Sequence, residues 1–235
     1  MFAPLPAAVT LAGYARPIRV DHMRSSWIRA WIATAAVAIA AVTIARTRVG
    51  WLLKVEEPVM DWVLDGTDAG AWDRAGFLSS PWLLIVGTLI LIGVGLWIEW
   101  RVAAAIVITT VIGTILAQLM RGLVGRTPPD ASTGTSSFPS VEIVQTGVFF
   151  GLVVLMLWWL GAPRLVWQIA VEAAIVFTLL VSIRLILNGE IWPSDAVGSA
   201  IVIALSLITA ALVFEANPGV LPWRQNRNPV EPVAG

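Results

Sequence analysis

Arg121, Arg126, Ser140 and Arg184 are the residues whose types and spacing bear most directly on chemistry. The first three lie in one polar stretch, residues 121–142, which reads RGLVGRTPPDASTGTSSFPSVE and separates two long apolar runs. The fourth precedes a short polar link, residues 188–195, reading NGEIWPSD. Three guanidiniums and a hydroxyl suit a phosphate, because the planar fork of arginine bonds two oxygens at once. Pro139-Ser140 also stands where a helix would begin, and the free N–H groups of a helix start favour an anion. A competing reading has Arg121 and Arg126 snorkelling from a helix end, with Asp130 and Asp195 as counter-ions. Spacing alone does not choose between the two.

The elements that must position these residues are membrane spans. Of the 235 residues, 58% are hydrophobic and only 13% are charged, far from the balance of a soluble domain. Six apolar runs are each long enough to cross a hydrocarbon core of about 30 Å. They cover residues 27–45, 81–97, 102–120, 141–160, 165–187 and 196–214. Between the first two, residues 49–63 mix apolar groups with Lys54, Glu56, Glu57 and Asp61, the pattern of an amphipathic helix on the membrane surface. Pro58 falls inside that helix and is expected to kink or break it. Ser79-Ser80-Pro81 reads as a cap followed by proline at the first helical position. Tryptophans such as Trp27, Trp97, Trp100, Trp158 and Trp192 sit near the proposed span ends, as in an interfacial belt. The fold expected is therefore all-α, an integral membrane six-helix bundle with an amphipathic surface helix between the first and second spans. A tail over residues 1–26 and another over 216–235 flank the domain at 27–215.

Composition also excludes functions. The chain has no cysteine, which removes disulfides and thiolate metal sites. Its one histidine, His22, belongs to the N-terminal tail, so neither a metal nor another cofactor is expected. A net charge of zero suggests no nucleic-acid partner. Six spans put both termini on one side. Over the short loops and tails the arginine pattern favours cytoplasmic termini in the cell membrane, with both polar loops facing outward. Expected partners are membrane lipids and other membrane protein subunits. Glu172 lies inside the fifth run, where an acid is costly and so a functional candidate, and the favoured expectation is a hydrogen bond to a neighbouring span. Gly147 and Gly151, four apart, mark close helix packing. Glu190 is expected to cap its loop or pair with Arg184.

Three motifs give the polar stretches a resemblance. Arg121…Gly125-Arg126-Thr127-Pro128-Pro129, then Ser137-Phe138-Pro139-Ser140-Val141-Glu142, then Arg184…Gly189-Glu190-Ile191-Trp192-Pro193-Ser194-Asp195 occur in that order. Together they resemble the signature of the type 2 phosphatidic acid phosphatases, a membrane family related to vanadium haloperoxidases. The resemblance implies a six-span bundle, a lipid-phosphate or polyprenyl-diphosphate substrate, and phosphate contacts from Arg121, Arg126, Ser140 and Arg184. It also implies a histidine nucleophile at position 191, oriented by Asp195, and a histidine acid at position 142.

The departures decide the functional expectation. Position 191 is isoleucine and position 142 is glutamate. Pro128 replaces a clamping arginine, and Arg184 lies one residue too far from the end of its motif. Isoleucine has no lone pair, whereas nucleophilic catalysis needs an activated atom within bonding reach. No catalytic residue is expected, and Asp195 is a retained position only. The sequence thus reads as a catalytically silent relative that acts by binding a lipid phosphate or a protein partner, or as a subunit of a membrane assembly. The alternative is an active phosphatase with a rearranged site. A transporter is less well supported, because no pair of broken spans is visible beyond the loops.

Overall fold

The computed structural model describes residues 20–47, 49–66, 76–77, 79–130 and 136–215. Most of both expected tails, and the side chain of His22, lie outside the described residues. Among these residues there are seven helices: α1 (Val20–Thr47), α2 (Val49–Gly66), α3 (Pro81–Ile98), α4 (Trp100–Val124), α5 (Val141–Trp159), α6 (Arg164–Leu187) and α7 (Pro193–Glu215). Six contain an apolar segment long enough to cross a membrane: Ser26–Arg46, Pro81–Ile98, Trp100–Val124, Val141–Trp159, Arg164–Leu187 and Pro193–Val213. These correspond one for one to the six expected runs, and the chain is a multi-pass membrane protein.

Local chemistry sets the helix ends. Pro81 occupies the first turn of α3, although Ser80 makes no side-chain cap bond. Ser140 caps α5, its hydroxyl accepting the Ile143 N–H at 3.4 Å. α4 stops at Gly125, whose φ of 62° lets its N–H turn back to the Arg121 carbonyl. Glu99 alone separates α3 from α4, and its carboxylate lies 3.4 Å from Arg101 Nε. Pro58 does not break α2, which runs through it from Val49 to Gly66. Proline lacks an N–H and its ring crowds the carbonyl four residues back, the reason a kink or a break is expected. Here the helix continues across it.

The centre of the bundle is α4, α5 and α7. Val102, Ile106, Val144, Val148, Leu152 and Val202 are buried in one cluster between them. Glycines allow the approach. A Cβ on Gly147 would lie 2.8 Å from Ile203 Cγ1, and one on Gly151 would lie 2.7 Å from Leu207 Cδ2. The expected close packing is thus between α5 and α7. Around this centre α3 pairs with α4, α6 with α5, and α1 with α7, where Trp31 Nε1 donates to Thr209 Oγ1 at 3.0 Å. Some hydroxyls on the spans are satisfied by their own helix: Ser182 and Ser206 each donate to the carbonyl four residues back at 2.8 Å. The outer faces carry exposed Leu, Ile, Val and Trp, as lipid-facing surfaces do.

Candidate functional site

The two polar loops meet at one end of the bundle. The Asp130 N–H donates to the Gly189 carbonyl at 2.9 Å, and Trp192 Nε1 donates to the Thr127 carbonyl at 2.8 Å. The Ser137 N–H donates to the Arg126 carbonyl at 2.7 Å. Gly189, with φ of 68°, turns the chain between α6 and α7 while its N–H bonds the Ile186 carbonyl. All three polar motifs are therefore knitted together by backbone groups. The Ser140 N–H reaches across to Ser199 Oγ at 3.0 Å, which ties the start of α5 to α7.

Behind this seam lies a buried charge cluster. Arg126, only 2% exposed, donates through Nη1 to Ser194 Oγ at 2.6 Å and to Asp195 Oδ1 at 3.1 Å. Its Nη2 forms a buried ion pair with Glu56 of α2. Asp195 is fully buried and also accepts the Trp192 N–H at 2.9 Å. The other Glu56 oxygen accepts the Ser194 N–H at 2.7 Å. The guanidinium lies 5.0 Å from the centre of the Trp192 ring, within cation–π range. One cation thus stands against two carboxylates, and Arg126 is held by acids on both sides.

In front of the seam lies a cavity of about 470 Å³. Arg121, Ser136, Ser140, Glu142, Arg184, Glu190 and Ile191 all line it. Arg126, Glu56 and Asp195 do not. The structure therefore brings three of the four expected phosphate contacts to one cavity and places the fourth, Arg126, behind it. Arg121 is spent on a backbone group, its Nε donating to the Ser136 carbonyl at 2.6 Å and its Nη2 to the same oxygen. Arg184 pairs with Glu142 at 2.8 Å and, more loosely, with Glu190 at 3.7 Å. The expected partner of Glu190 is thus found.

Acids stand beside the arginines of the cavity. Among the described residues two arginines and two glutamates line it, so the cations there share its wall with acids. Glu142 sits in the first turn of α5, the position where free N–H groups and the helix dipole would otherwise attract a phosphate. Ile191 is 3% exposed and packs with Ile143, Val181 and Leu185. Its side chain fills its space with hydrocarbon. Among the described residues no group of three or more His, Cys, Asp or Glu is placed to hold a metal ion.

Sequence reasoning missed Glu56. It lies 70 residues from Arg126 in the chain, on a helix whose acids read as a solvated face. The signal available was Arg126 itself, since a buried guanidinium requires a counter-ion. The reading with Asp195 as a counter-ion agrees with the structure at Arg126. Glu172 makes no hydrogen bond or ion pair among the described residues and is exposed on α6, so the expected bond to a neighbouring span is not formed.

No family model and no curated protein sequence matches the chain. A solved structure does. The crystal structure of a transmembrane PAP2 type phosphatidylglycerolphosphate phosphatase from Bacillus subtilis superposes with a TM-score of 0.66 at 14% identity. The match covers 83% of this chain and 98% of that one. This chain has the PAP2 fold. The three polar motifs lie together at one end of that fold, as the resemblance in sequence implies.

Proposed function

We propose that this PAP2-fold membrane protein has no phosphatase turnover and works by binding, either of a lipid headgroup or as a subunit of a membrane assembly. The observation that carries the reading is position 191. A phosphoryl-transfer site of this design needs a nucleophile in line with the leaving oxygen. Ile191 supplies hydrocarbon there. Asp195, which would orient a histidine, is committed to Arg126 and the Trp192 N–H. Water attack needs a base, and the carboxylates beside the cavity, Glu142 and Glu190, repel the phosphate they would have to serve.

The membrane orientation is part of the same proposal. Cytoplasmic termini put the cavity at the outer face of the cell membrane, where Arg121, Ser140 and Arg184 face a headgroup rather than a soluble metabolite. A second reading, phosphatase activity through a rearranged site, draws support from the cavity itself, which is large enough for a headgroup and keeps Arg121 on its wall. The two readings separate on steady-state phosphate release from phosphatidic acid, phosphatidylglycerolphosphate and an isoprenoid diphosphate. The pure native protein and Asp195→Ala should both be at background. Release by the native protein that vanishes in the variant would establish the second reading instead.

A further inference from the structure

The outer face of α6 carries a seam that the cavity does not explain. Leu165, Ile169, Glu172, Val176, Leu179 and Ile183 recur at alternating spacings of four and three, which places them on one helical face. The five apolar members are 39–67% exposed, and Glu172 is exposed among them. α6 rests on α5 and touches α2, and the described residues leave this seam exposed. Apolar exposure by itself is the ordinary state of a lipid-facing helix. Glu172 is not ordinary. It lies eight residues into a 24-residue span, about 12 Å along the helix at 1.5 Å per residue. That is well inside the apolar segment, and it has no hydrogen bond or ion pair among the described residues.

We propose that this face of α6 seats a transmembrane helix of a partner protein, and that the partner presents a basic side chain to Glu172. Charge selects the occupant. A second copy related by a two-fold axis along the membrane normal would set Glu172 against Glu172, since such an interface repeats the same patch on both sides. Two carboxylates sharing a site in hydrocarbon cannot both stay ionised, so such a pair would have to take up a proton, whereas a basic partner meets the acid as an ion pair. Neither basic residue of α6 relieves them: Arg184, near the far end, pairs with Glu142, and Arg164 stands at the first position of the helix, about 12 Å from Glu172 along the axis. A lipid ammonium stays at headgroup depth. A basic group carried by a foreign span meets the acid at its own depth and leaves the flanking Leu, Ile and Val to pack. The surface is separate from the cavity and stands whether or not the cavity turns over phosphate.

The test uses the full chain in phosphatidylcholine vesicles and two synthetic Leu/Ala-rich membrane peptides, one with a single lysine at matching depth and one with leucine there. Association is read by energy transfer. The lysine peptide should bind about ten-fold more tightly than the leucine peptide, the scale of one interhelical polar contact. Glu172→Leu should erase that difference. Equal binding of the two peptides, or a preference that survives in Glu172→Leu, would overturn the proposal. The chain contains no cysteine, so Val176→Cys adds a unique thiol on the seam. Under oxidation in membranes that variant should remain a monomer; an efficient disulfide-linked dimer would assign the face to a second copy instead.

Discussion

Replacing Arg126 with methionine should be among the most damaging single changes in the chain. The side chains of Arg126 and Asp195 are 1% and 0% exposed and that of Glu56 is 10%, so solvent screens none of them well. Methionine matches the volume of the arginine stem but leaves two buried carboxylates without a cation. Removing one partner of a buried pair costs about 3–5 kcal/mol. For a chain of 235 residues that is roughly a 6–20 °C fall in the unfolding midpoint. Glu56→Gln should be milder, because the Arg126–Asp195 pair survives and only one charge-assisted bond is lost, about 1.5–3 kcal/mol. The assay is thermal unfolding of both variants and the native protein in one detergent. Arg126→Met within about 1 kcal/mol of native, or Glu56→Gln costing more than Arg126→Met, would refute the reasoning about this cluster.

Three further outcomes follow from other parts of the molecule. Gly151→Ile should destabilise the α5–α7 contact by about 1–3 kcal/mol, since Leu207 already occupies the space, and denaturation in detergent measures it. Cysteines introduced at Ser132 and Asn228 should react from opposite sides of intact cells, Ser132 from outside; labelling of both from one side would overturn the orientation. Ile191→His alone should give no phosphate release, because Asp195 stays bonded to Arg126 and Glu142 remains in the cavity; turnover in that variant would show that one residue separates this site from an active one.

The bundle was legible in the sequence because a hydrocarbon core imposes a length. Uncharged apolar runs of about 20 residues are what a membrane span requires and what a soluble domain seldom contains, and prolines at 81 and 193 mark helix starts in the structure. The meeting of the two polar loops was legible from motif order. The roles within them were not. A guanidinium has the same fork whether it holds a phosphate or a carboxylate, so spacing did not tell Arg121, which faces the cavity, from Arg126, which is buried behind it. Glu56 was hidden because an acid on an amphipathic helix looks the same pointing outward or inward. Glu172 showed the converse: its cost in a span was plain, and only the packing of α6 revealed that no neighbour among the described residues meets it.

The central claim, that the cavity has lost its chemistry, is tested most directly by a single-turnover experiment. Pure protein in excess over phosphate-labelled phosphatidic acid or phosphatidylglycerolphosphate is quenched at intervals, and both free phosphate and label on the protein are counted. This detects one event per molecule and does not depend on product release. Neither free phosphate nor labelled protein should rise above a protein-free control. Release or protein labelling at about 1 per second or faster, the low end of ordinary enzymes, and its loss in Asp195→Ala, would contradict the account.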